Sequence, residues 1–196
     1  MNKNINFQES VREFKSIISS IEASGKNNKK QPLEKAVVEY LELVSKLYKN
    51  GRRIYFIGNG GSAAIAGHQA IDWLKNGKLR TECFNDSALL TCLGNDYGYE
   101  HVFEKPLHYV ADKGDILVAI SSSGRSENII RATKKAVEKE LSIVTLTGFD
   151  ADNPLRQMGD INIFVASHSY YFVESAHLFI CQALLGLWEK FRDSSK

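Results

Sequence analysis

Cysteine is scarce, with 3 in 196 residues, and Cys83, Cys92 and Cys181 show no paired metal-knuckle spacing. That excludes a disulfide-stapled or zinc-finger scaffold, and the three read as buried thiols in a reducing compartment. Net charge is also slight. The 25 Lys and Arg against 23 Asp and Glu leave +2, too little to draw nucleic acid by bulk electrostatics. The one Lys-rich piece, GKNNKK at 25–30, reads as a solvated linker. No long apolar run suits a membrane span, and the polar start MNKNINFQES is unlike a signal peptide. Repeats and low-complexity tracts are absent as well. The expectation is a cytoplasmic protein with one main domain, long enough to bury a sizeable core.

What is present is periodicity. NFQESVREFKSIISSIEAS (6–24) carries Phe7, Val11, Phe14, Ile17, Ile18 and Ile21 at helical spacing. A second amphipathic helix is expected over 32–51, with Pro32 suited to its first turn and Gly51 to its stop. From residue 52 the pattern changes to short apolar or β-branched runs: RRIYFIG (52–58), KLRTECF (78–84), DILVAIS (115–121), LSIVTLTGF (141–149) and INIFVAS (161–167). Helical segments fall at 62–76, about 100–111, 126–140 and about 170–191. Apolar strands alternating with helices predict a three-layer, doubly wound α/β sandwich on a five-stranded parallel sheet, preceded by an N-terminal helical extension.

In such sheets ligands sit beyond the carboxyl ends of the strands. GNGGSA occupies that place after the first strand. Gly58, Gly60 and Gly61 let a ligand approach the backbone, Ser62 can cap the helix or bond a phosphate oxygen, and free N–H groups at the helix start favour an anion. Gly58-x-Gly60-x-x-Ala63, with Glu82 near the end of the next strand, also fits a dinucleotide fingerprint. The loop alone does not choose.

A second loop does. DILVAIS runs into SSSGRSENII, placing Ser121, Ser122, Ser123 and Ser126 where a strand yields to a helix, so that hydroxyls and helix N–H groups can surround one phosphate. A dinucleotide enzyme leaves this cluster unexplained. Arg125 either helps or points into solvent. Between the loops, Asn95 and Asp96 suit sugar hydroxyls and equally suit a turn.

GNGGSAA, LGNDYGYE, AISSSGRSENI and VTLTGFD, in that order, resemble the sugar isomerase (SIS) domain family, in its phosphoheptose isomerase branch, over about residues 34–191. The resemblance implies the SIS fold for 34–196, with 1–33 as an N-terminal helix and linker serving oligomerisation, and a homotetramer. It implies a heptose phosphate substrate, and no nucleic acid or membrane partner. Substrate contacts are expected at Asn59, Gly60, Gly61, Ser62, Asn95, Asp96 and Glu174, with the phosphate on Ser121, Ser122, Ser123 and Ser126.

The same resemblance implies a divalent metal, zinc first among candidates, on His68, Asp72, Glu174 and Gln182. His68 and Asp72 share one helix face. The set departs from the family's, which has glutamate at Asp72, glutamine at Glu174 and an acid–base histidine at Gln182. It is oxygen-rich for zinc, and Glu174 with His177 is a rival pair. An aldose–ketose isomerase needs a base, an acid and a stabilised oxyanion, and a metal polarising the carbonyl supplies the last. Asp72 and Glu174 are the expected catalytic groups, with His177 and His168 as further ones. The implied reaction converts sedoheptulose 7-phosphate to D-glycero-D-manno-heptose 7-phosphate. The alternative is a non-catalytic SIS protein that binds a phosphosugar or a protein partner, as a replication-initiator-binding branch of the family does.

Overall fold

The computed structural model describes residues 6–194. Helix α1 (Phe7–Ser19) opens the chain, its first turn capped by Asn6, whose side chain accepts from the Gln8 N–H at 3.1 Å. There follow β1 (Glu22–Gly25), β2 (Lys30–Gln31), α2 (Leu33–Lys49), β3 (Arg53–Gly58), α3 (Gly61–Lys75), β4 (Arg80–Cys83) and α4 (Ser87–Tyr97). Then come α5 (Glu104–Val110), β5 (Ile116–Ser121), α6 (Glu127–Glu138), β6 (Ser142–Gly148), β7 (Ile161–Val165) and α7 (Tyr170–Asp193).

One sheet runs in the order β2-β1-β7-β6-β5-β3-β4. The five expected strands, β3 to β7, pair in parallel. Two short strands, β1 and β2, extend the β7 edge antiparallel, making seven. The piece expected to be a solvated linker is therefore the turn of a hairpin. Asn27 and Asn28 take φ of 58° and 54°, a region asparagine tolerates, and the Ser24 hydroxyl donates to Asn28 Oδ1 at 2.8 Å. Its polar side chains do face water for the most part, but Gly25 pairs with Ile161 of β7 and Lys30 with Ser24 of β1, which composition cannot reveal.

Helices cover both faces because the strands are apolar on both. Ile54, Phe56, Ile116, Val118, Val144 and Leu146 enter a core shared with residues of α1, α2, α3 and α7. Their neighbours Tyr55, Ile57, Leu117, Ala119 and Ile143 enter a second core under α4, α5 and α6. This period of two on doubly buried strands produces the three layers.

Helix α4 takes in Asn95 and Asp96, which by sequence equally suited a turn. Asp86 caps it, its carboxylate accepting from the Ala88 and Leu89 N–H groups at 3.0 Å each. Of the cysteines, Cys181 is buried, Cys83 is partly so and Cys92 is exposed. Helix α7 is long and apolar enough to cross a membrane by length and composition. Half of that apolar window is nevertheless buried in the fold, with Val173, Ala176, Ile180, Leu184 and Trp188 in the core, as a core helix requires.

Candidate active site

β3 and β5 are neighbours in the sheet, so the loops leaving their carboxyl ends lie side by side. Between them is a cleft of about 120 Å³ lined by Asn59, Ser62, Ser121, Ser122, Ser123, Ser126, Tyr170 and Glu174. Among the described residues no Lys or Arg lines it. Positive potential comes instead from helix ends, because α3, α6 and α7 all begin at this cleft, each amino terminus equivalent to about half a positive charge. Several hydroxyls await a partner. Ser122 Oγ and Ser169 Oγ are buried without one, and Ser126 makes no side-chain cap bond to α6. Ser121 Oγ and Ser123 Oγ accept from the Gly124 and Arg125 N–H groups at 3.2 and 3.3 Å, leaving their own protons to donate. Donors so arranged suit a small oxyanion.

The backbone of both loops depends on glycine. Gly60 has φ +55° at the start of α3, and Gly124 has φ +60° packed against Asn153. A Cβ on Gly61 would collide with the Glu174 carboxylate. Glu174 therefore rests on the glycine loop itself. Arg125, left open by sequence, turns away from the cradle to Asp152 at 3.0 Å and Asp150 at 3.7 Å.

Two residues that sequence reasoning passed over hold Asn59. Its amide and that of Asn128 on α6 exchange two hydrogen bonds of 2.9 Å each. The Tyr99 hydroxyl donates to Asn59 Oδ1 at 3.1 Å. Asn128 is only 3% exposed and directly precedes the buried pair Ile129 and Ile130. A polar side chain at such a position, two residues after the last loop serine, was the available signal. Asn95 and Asp96 do not line the cleft. They sit exposed at the end of α4, with the Asn95 amide donating to Asp96 Oδ1 at 3.0 Å.

The other expected residues form a separate cluster. Asp72 Oδ2 accepts from Gln182 Nε2 at 2.7 Å and meets His68 Nε2 at 3.0 Å. Glu174 is not with them. Among the described residues no three His, Cys, Asp or Glu side chains stand together to hold a metal. The four residues expected to share zinc thus divide into a pair with an amide, and a lone carboxylate on Gly61. This donor set does not fit zinc. His177 is turned inward, fully buried, with Nε2 3.2 Å from the Thr147 carbonyl. Only a ring N–H can face a carbonyl, so Nε2 carries the proton and Nδ1 lacks a partner. Burial lowers its pKa to about 4. His168 is exposed and stacks on Phe149.

Comparison with known proteins agrees with this architecture. The SIS domain family matches residues 13–148. The phosphoheptose isomerase of Aliarcobacter butzleri is 37% identical over 166 residues, covering 79% of this chain and 84% of that protein. That of Clostridium acetobutylicum is 34% identical over 180 residues, covering 89% and 91%. The solved phosphoheptose isomerase structure from Neisseria gonorrhoeae superimposes with a TM-score of 0.77 at 30% identity, covering 93% and 94%. With two loops built around one oxyanion cradle, and this likeness over most of its length, the chain belongs to the SIS domain family, in its phosphoheptose isomerase branch.

Proposed function

We propose that the chain is a phosphosugar aldose–ketose isomerase whose substrate is sedoheptulose 7-phosphate and whose product is D-glycero-D-manno-heptose 7-phosphate. The observation that carries this reading is the cleft where three helix amino ends meet unpartnered serine hydroxyls. It suits a phosphate and offers no cationic side chain to hold a larger polyphosphate. The likeness to phosphoheptose isomerases supports a heptose phosphate as that sugar.

The reaction requires a proton to leave C1 of the ketose for a carboxylate while the C2 carbonyl oxygen gains one, giving an enediol. Return of a proton to C2, with loss of the O1 proton, gives the aldehyde. Glu174 and Asp72 are the carboxylates we assign to this exchange. Glu174 shares the cleft with the phosphate cradle, and Asp72 lies further along α3, the helix that the glycine loop starts. The chain's own residues bind the phosphate and fix the sugar by Asn59.

A second reading, a phosphosugar-binding protein without catalysis, draws support from Asp72. One of its carboxylate oxygens is already engaged by both Gln182 and His68. Proton exchange separates the two. With sedoheptulose 7-phosphate in heavy water, NMR should show loss of C1 protons and growth of aldose signals, abolished by Glu174→Gln and reduced at least tenfold by Asp72→Asn. Binding without any exchange would favour the second reading, and absence of binding would remove heptose phosphate from consideration.

A further inference from the structure

We infer that Asp72 and Gln182, joined by a hydrogen bond with His68 Nε2 in close polar contact, form a clasp between α3 and α7 that holds no resident zinc. The orientation of Gln182 carries the argument. Its amide stands 2.7 Å from Asp72 Oδ2. An amide oxygen that close to a carboxylate oxygen repels it, so the N–H₂ end faces Asp72 and donates. That end has no lone pair to give a metal. His68 Nε2 meets the same carboxylate oxygen at 3.0 Å, so the one ring nitrogen near the cluster is also committed to Asp72.

Counting donors decides the matter. A catalytic zinc takes three protein ligands and a structural zinc four, drawn mainly from imidazole and thiolate. Here one imidazole and one carboxylate remain. Glu174, which would make a third, is placed against Gly61 instead, and among the described residues no three-member group of His, Cys, Asp or Glu exists. Side chains from α3 and α7 meet through Asp72, which is half-buried, while His68 is 54% exposed and closes the outer side. The clasp thus does mechanically, through the Gln182–Asp72 hydrogen bond, what a shared ion would do: it ties together the two helices that carry the glycine loop and Glu174.

The test is metal content, with no sugar present, so its outcome is independent of the isomerase reading. The full chain is equilibrated with excess zinc chloride, gel-filtered, and its zinc measured by plasma mass spectrometry. Wild type should retain far less than one zinc per chain, with the same Tm in zinc and in EDTA. Gln182→His places a second imidazole beside His68 and Asp72. It should retain about one zinc, with a Tm that rises in zinc and falls in EDTA. About one zinc per wild-type chain, surviving gel filtration and released by EDTA, overturns the inference. Should Gln182→His fail to fold, the wild-type zinc content and Tm comparison decide alone.

Discussion

At the scale of single residues, the imidazole of His177 links burial to pH. Removal from water lowers its pKa from 6.5 to about 4, against a smaller opposing contribution from the Thr147 carbonyl. Between those two values the unfolded chain takes up a proton that the folded chain refuses. Stability is therefore highest above 6.5, falls as the pH drops through this window, and levels off below about 4. The full effect is about 3 kcal/mol. Urea unfolding at pH 7.5 and 5.0 should show this slope in wild type and lose most of it in His177→Gln. An unchanged slope would show that the ring is not the source. The thiols make a second residue-scale prediction. Cys92, exposed on α4, should react with a thiol reagent in the native state, whereas Cys181, whose pKa burial raises to about 12, should react only on unfolding. Sequence read all three thiols as buried, which holds for Cys181, but could not tell which cysteine is exposed or that His177 is turned inward. Burial is a property of the packed layers.

At the scale of elements, the two anion loops act as one because Asn59 and Asn128 join them. Asn128→Ala would leave the half-buried Asn59 amide short of two bonds, a loss of about 1–2 kcal/mol. Phosphosugar Kd should rise about tenfold, with folding retained, when measured by calorimetry. Wild-type affinity in that variant would remove the joint from the binding argument. Gly124→Ala should be worse, combining a left-handed backbone with a collision against the buried Asn153 side chain, which itself accepts from the Arg156 N–H. Its melting temperature and its binding should both fall. The five parallel strands were readable to within a few residues, because doubly buried strands write continuous apolar runs. The serine and glycine loops were readable because their chemistry is contiguous in the chain. Helix α4 was hidden by Asn95, Asp96 and Gly98, which look like a turn and instead terminate a helix that Asp86 begins. The β1–β2 hairpin was hidden by its lysines, which occupy an edge where charge discourages further strand pairing.

For the whole molecule, one face is left without cover. Ile71 and Leu74 of α3 and Tyr171, Phe179 and Leu187 of α7 are exposed, as are Phe7 and Val11 of α1. Apolar side chains in such number mark a contact surface. A homotetramer is the assembly we expect, and light scattering coupled to size exclusion should give four chains. The double variant Phe179→Glu with Leu187→Glu should give a smaller species that keeps its far-ultraviolet circular dichroism. A wild-type monomer at all concentrations tested would contradict this expectation. The clasp of Asp72 and Gln182 lies between the same two helices, so weakened assembly and weakened clasp are separable only by mutating each alone.

The amino-acid sequence by itself determined the layers and the make-up of each loop, since both depend on residues close together in the chain: periods of two and 3.6, and glycines or serines at a strand end. Only the tertiary structure decided which distant residues meet. Asn59 and Asn128 stand 69 positions apart and touch because β5, rather than β4, is inserted beside β3 toward the centre of the sheet. Asp72 and Gln182 stand 110 apart and meet because α3 and α7 pack on the same face. Strand order and helix crossing also put Glu174 on the glycine loop instead of beside His68. Spacing along the chain carries no record of these distances, because they are fixed by how whole elements pack.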